Sequence, residues 1–188
     1  ERHRATLPAK TRMLALAIQR GASVKDMSYQ MRQPPLHLAA LFGTPEMVDQ
    51  LLAAGADANQ REWDRNLNPV EFMLDHEFYT RMTYLPELVD AEDRGRMLLA
   101  LFKAGAERPF KRVDERLAQE ARAQGEAPQR PAADDLAWPM IAQTTRGAEV
   151  MEALARTGTA PVFEADNLGL SPLGFAARAG NVGGVRWL

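Results

Sequence analysis

At 188 residues, with no cysteine and a formal charge of −2, the chain has room for one ordinary domain or a short array of repeats. The near-balanced charge argues against a nucleic-acid partner held through its phosphates, and the missing thiols exclude a disulfide framework and a thiolate metal site. No run of about 18 apolar residues is present to cross a membrane, and no signal-peptide core is seen. A chain without cysteine fits a reducing cytoplasm and leaves the periplasm or secretion open. The start at Glu1 rather than Met reads as a processed or trimmed piece, so a targeting segment could have preceded it. Arg outnumbers Lys nineteen to four and Ala is abundant, a bias common in GC-rich bacterial genomes.

Leu7 to Val24 reads as a helix with Met13, Leu14, Ala17 and Ile18 as its apolar stripe and Gly21-Ala22 as its stop. Lys25 to Gln33 is a connection carrying the apolar Met27, Tyr29 and Met31. Pro35 then sits where a first helical position tolerates the missing N–H, and Leu36, Ala39 and Ala40 are spaced to cover one face. Gly43 is expected to end this helix in the left-handed region, after which Thr44 caps a second helix with Pro45 at its first position. Met47, Val48, Leu51 and Leu52 make the stripe of that second helix, and Gly55 stops it. Two antiparallel helices follow, and one such pair cannot bury its own apolar faces.

The stretch from Pro34 to Asn59, P-P-L-H-L-A-A-L-F-G-T-P-E-M-V-D-Q-L-L-A-A-G-A-D-A-N, resembles an ankyrin repeat. Pro35, Leu36, His37, Ala39, Ala40, Gly43, Glu46, Val48, Leu51, Leu52, Gly55, Ala56, Asp57 and Asn59 all fall in the family pattern. The resemblance implies an all-α ankyrin-repeat solenoid of stacked helix pairs with short β-turn fingers, forming a single array. It makes Leu7 to Gln33 the second half of an earlier repeat with its finger; Gly21 to Gly55 is 34 residues, against a family period of 33.

The next unit, 68–110, starts at Asn68-Pro69-Val70-Glu71-Phe72 and ends at Gly105-Ala106. Its excess length, 75–91, falls between the two helices and carries four aromatic residues, His76, Phe78, Tyr79 and Tyr84. Either they pack back and cover the array, or they form a partner-contacting loop. The segment 111–135 reads as a charged helix over Lys111 to Gln124 and a linker rich in Pro and Ala. Unit 136–165 matches in outline, with Val150, Met151 and Leu154 as a second-helix stripe and Gly158 as its stop. The last unit, 166–188, is clearer: Ser171-Pro172-Leu173 opens a helix, and Ala176, Ala177, Gly180 and Val185 follow in register. It stops mid-helix, so further repeats or a capping element are expected beyond Leu188.

The start motif departs from the family. Its Thr is replaced by Pro34, Asn68, Trp138 and Ser171, and its His by Glu71, Ile141 and Gly174. The motif's hydrogen-bond network is therefore expected to be complete in no unit. His37 is assigned a structural role by the resemblance rather than a catalytic or metal-binding one. His76 between Asp75 and Glu77 is the minimal part list for acid-base work, but adjacent residues point apart on a helix. No phosphate-binding Gly loop, no H-E-x-x-H and no nucleophile elbow occurs, so neither catalysis, a metal nor a cofactor is implied.

The resemblance places a partner protein on the concave face, lined by finger tips and by the pair before each helix-turn glycine. The candidate binding residues are Tyr29, Met31, Leu41, Phe42, Trp63, Asp64, Arg65, Thr145, Arg146, Asn167, Leu168 and Arg178. Leu41 and Phe42, beside Tyr29 and Trp63, are expected to form an exposed apolar and aromatic patch. The expected function is a non-enzymatic protein-binding module with no nucleic acid and no membrane insertion. The alternatives are the targeting region of a larger enzyme or effector, and an inhibitor or immunity-type protein.

Overall fold

Thr44 shows how local chemistry sets the architecture. Its hydroxyl accepts from the Met47 N–H, Pro45 fills the first helical position without wasting a donor, and the chain reverses between two helices within two residues. In the computed structural model, which describes residues 2–27, 32–74, 91–107, 109, 111–127, 147–158 and 171–188, every described element is helical. The chain divides into two compact units, residues 1–106 and 107–188.

The first unit holds α1 (Arg2–Gln19), α2 (Pro35–Phe42), α3 (Pro45–Ala53), α4 (Pro69–Leu74) and α5 (Ala91–Lys103). Their packing repeats. α2 pairs with α3 and α4 with α5, while α2 stacks on α4, and α3 lies between α1 and α5. Leu36, Ala39, Ala40, Met47, Val48 and Leu51 are buried as their spacing predicts, and Phe72, Met73, Met97, Leu98 and Leu101 continue the core. Burying each of the Leu, Val, Met and Phe side chains among these contributes about 1.5–3 kcal/mol.

The second-type helices end alike. After α1, α3 and α5 a glycine takes φ of 85°, 90° and 88° at Gly21, Gly55 and Gly105. The N–H of the following alanine then reaches back to the carbonyl five residues before it, Ala22 to Ala17, Ala56 to Leu51 and Ala106 to Leu101. These are Schellman closures, which satisfy carbonyls the helix end would leave bare.

Gly43 corrects the sequence reading. Its φ is −95°, so it is not left-handed; instead a Cβ there would stand 2.6 Å from the Ala39 carbonyl oxygen and 3.0 Å from the Met47 sulfur. The position needs glycine for want of space. The stripe of α1 is also corrected: Met13 is 68% exposed and Ala17 is exposed, while Leu7, Thr11, Leu14, Ala15 and Ile18 are the partly covered positions. The register is shifted because α1 packs against α3 with one face only.

The second unit holds α6 (Lys111–Ala123), α7 (Gly147–Arg156), α8 (Pro172–Arg178) and α9 (Val182–Trp187). Val150, Met151 and Leu154 of α7 are fully buried, and α7 and α8 both pack on α9. Ser171 caps α8 by accepting from the Gly174 N–H, and the buried Asn181 caps α9 by accepting from Gly184 N–H at 2.8 Å. The segment 75–90, with His76 and its two acidic neighbours, lies outside the described residues.

Candidate partner-binding surface

The connection from α3 to α4 is a fifteen-residue stretch, Ala54 to Asn68, whose backbone is fixed by side chains rather than by a sheet. Asp57 forms an Asx turn in it, accepting from the Asn59 N–H at 2.8 Å. Asn59 Nδ2 donates to the Gly105 carbonyl at 2.9 Å and Gln60 Nε2 to the Lys25 carbonyl at 2.6 Å, so the connection is tied to the turns on either side of it.

Glu62 is the residue the sequence reading missed. It is 2% exposed, and its carboxylate accepts from the backbone N–H of Asp64, Arg65 and Leu67 at 2.6, 2.7 and 3.1 Å. Its own N–H donates to the Leu67 carbonyl at 3.0 Å, closing the loop. A buried carboxylate is costly unless its lone pairs are filled, and here three donors fill them. The signal was an acid inside the connecting loop, which looks like any solvated charge until the backbone wraps around it.

The same Leu67 carbonyl accepts from His37 Nε2 at 2.9 Å. A carbonyl only accepts, so Nε2 carries the hydrogen and Nδ1 is bare, buried and without a partner. Burial is the main cause that holds the imidazole below its usual pKa of 6.5; the Leu67 bond and Glu62 oppose it, and Arg61 adds to it. His37 is fully buried and meets Phe72 edge-on, with ring centroids 5.5 Å apart.

The start of the 68–110 unit, which lacks the family's Thr and His, is tied by a network of its own. Asn68 Oδ1 accepts from the Glu71 N–H at 2.8 Å, and Glu71 Oε2 accepts from the Asn68 N–H at 2.8 Å, a reciprocal capping box at the start of α4. Arg61 donates to the same Glu71 oxygen at 2.8 Å and to the Asn66 carbonyl at 2.6 Å. Both partners of this ion pair are largely buried, and Asn66 holds φ of 57° to make the turn. An amide and an acid, Asn68 and Glu71, thus stand where the family has Thr and His and make different bonds.

On this frame stands Trp63, 65% exposed. Its N–H donates to the Arg32 carbonyl at 3.4 Å, and the Arg32 guanidinium lies 4.1 Å from the ring centroid. Arg65, half-buried, lies over Phe72 at 5.6 Å, and Asp64 is exposed. Leu41 and Phe42 are both half-buried, which corrects the exposed pair expected from sequence. Phe42 lines a groove against Leu7 and Leu14 of α1, and Trp63, Asp64 and Arg65 do not. Arg178, at the end of α8, is exposed. Tyr29, Met31, Thr145, Arg146, Asn167 and Leu168 lie outside the described residues.

Among the described residues no three His, Asp or Glu are gathered to hold a metal, and no helix is long and apolar enough to cross a membrane. Residues 32–60 match the family model for the ankyrin repeat. The match spans α2, α3 and the first part of the Glu62 loop. Ankyrin repeats generally mediate protein–protein interaction and are typically non-enzymatic. A comparison with curated proteins finds no match to the chain.

Proposed function

We propose that this ankyrin-repeat protein is a non-enzymatic module of stacked helix pairs with β-turn fingers, binding another protein through its fingers and first helices. The observation that carries the reading is Trp63: a large aromatic side chain, 65% exposed, on a loop whose backbone three donors bind to one buried carboxylate. Folding gains little from an aromatic ring left in water, whereas a partner that covers it desolvates a large surface without paying to order the loop. Arg32, Asp64 and Arg65 supply a polar surround to that ring, the composition of an interface centre with its rim. Leu41 extends this face on α2, and Tyr29 and Met31 on the preceding finger. Thr145, Arg146, Asn167, Leu168 and Arg178 are the corresponding positions of the second unit's own repeats.

Affinity capture on the wild-type chain and on Trp63→Ala, in parallel, tests it. The expected result is a protein held by the wild type and bound at least tenfold more weakly by the variant, about 1.4 kcal/mol, with the thermal melt unchanged. A partner retained equally by both places the interface elsewhere, and a large drop in melting temperature shows Trp63 to be part of the packing.

A further inference from the structure

The exposed ring of Trp63 is one half of a platform whose other half is Arg32. The Arg32 guanidinium lies over the ring, 4.1 Å from its centroid, and attraction to the ring's negative face does not use up N–H donors as a hydrogen bond would. None of those donors reaches an acceptor among the described residues, and neither does the indole N–H of Trp63. Both side chains donate and neither accepts. A ligand of this platform must therefore bring oxygen acceptors. It must bring apolar surface too, because Trp63 is 65% exposed with Arg32 already on it.

The contact between the two side chains is not needed to join the two connections. Gln60 Nε2 already donates to the Lys25 carbonyl at 2.6 Å, and the Trp63 backbone N–H to the Arg32 carbonyl. Arg32 is itself exposed, so its cation is presented rather than enclosed.

The acids nearest the platform are turned inward. Glu62 is closed on three backbone N–H groups and Glu71 is paired with Arg61, both almost fully buried. Asp64 is the acid of this loop that is exposed, and its carboxylate pairs with no described residue. Next to Trp63 in the chain, it repels a dianion more than a monoanion. A phosphate monoester carries about −1.5 to −2 at pH 7, whereas a carboxylate carries a single charge and still offers two oxygens to a guanidinium fork. A peptide supplies everything the platform lacks: a carboxylate for Arg32, a backbone carbonyl for the indole N–H, and an apolar side chain for the ring.

We propose that the Trp63–Arg32 platform binds a segment of the partner protein in which a carboxylate side chain stands beside an aromatic or aliphatic one, the carboxylate accepting from Arg32 and the apolar group covering Trp63. This rests on the reading of Trp63 as the interface and adds the chemistry of what is bound there.

The test is selection of displayed random short peptides on the immobilised wild-type chain after depletion on Trp63→Ala. Winners are expected to carry Asp or Glu next to Phe, Tyr, Trp or Leu. The strongest, titrated by fluorescence anisotropy, should bind at least tenfold more weakly to Arg32→Gln, and as weakly when its own acid is changed to the amide. The two changes together should lose no more than either alone, because they remove one contact. Asp64→Asn should bind at least as tightly as wild type. Arg32 is exposed, so its variant keeps the fold, which an unchanged thermal melt verifies. Selection that yields no Trp63-dependent peptide overturns the reading of Trp63 and this proposal with it. Trp63-dependent peptides without an acid, affinity indifferent to Arg32→Gln, losses that multiply in the double change, or weaker binding to Asp64→Asn keep Trp63 as the interface and overturn the carboxylate. So does a phosphoserine in place of the acid that binds at least tenfold more tightly, which gives the platform to a phosphopeptide. A dimer of the chain that Arg32→Gln dissociates gives it to a second copy and also overturns the proposal.

Discussion

His37 Nε2 and the Leu67 carbonyl oxygen are 2.9 Å apart, a bond that spans thirty residues and joins the start of α2 to the end of the loop that presents Trp63. The bond fixes the neutral imidazole with its hydrogen on Nε2, and burial holds the ring's pKa down. Stability is thereby linked to pH through one identifiable group.

The sign follows from proton counting. In the unfolded chain the imidazole takes a proton as pH falls through 6.5, while folded His37 stays neutral to a lower pH, so the unfolded state binds more protons in that window. Stability should be full above 6.5 and fall below it, by at most about 1.4 kcal/mol per pH unit from this residue. Urea melts from about pH 7.5 to 5 should show the decline in wild type and a flatter profile in His37→Gln. Glu46 does not confuse the reading: the helix N-terminal amide is the main cause that lowers its pKa below 4.5, so its loss of stability falls at more acid pH.

Glu62→Ala should destabilise the first unit by about 3 kcal/mol, because it strips an ionised acceptor from three backbone donors, of which Leu67 N–H is buried. Glu62→Gln should recover only part of this, since its amide nitrogen would face a donor. Equal melts for all three proteins would show that water replaces the carboxylate at no cost.

Gly43→Ala and Gly55→Ala should both destabilise, for different reasons. At Gly43 the new methyl meets the Ala39 carbonyl oxygen at 2.6 Å, so overpacking should cost about 1–3 kcal/mol, and adding Met47→Ala should not relieve it because the clash is with backbone. At Gly55 nothing lies within 4 Å, and φ of 90° alone should cost about 1–2 kcal/mol. Denaturant unfolding of the two singles and the double decides it; full rescue by Met47→Ala would show the sulfur to be the obstacle.

Leu36→Ala and Leu173→Ala change the same residue at the same register position, one 1% and the other 46% exposed. The first should cost about 2–5 kcal/mol and the second under about 1. Similar losses at both would mean that Leu173 is covered in solution.

The sequence by itself determined the local structure of this protein. Thr44-Pro45, Gly55 and the apolar spacing of 36–52 carry their own physics in a few residues, and the caps, the left-handed stop and the buried face stand where they dictate. The structural role of His37 was legible for the same reason, through its place in a motif. Tertiary structure alone decided the rest. Glu62 and Glu71 are buried, because their partners are backbone N–H groups and an arginine that the loop brings around them. Phe42 reads as part of an exposed pair and instead walls a groove, because α1 lies beside it. Val48 and Val185 hold equivalent positions, yet one is fully buried and the other 38% exposed. α5 packs on the helix of the first, and no described helix follows α9 in the same way. In a repeat fold a residue's pattern sets which face it occupies, but only the neighbouring unit removes that face from water.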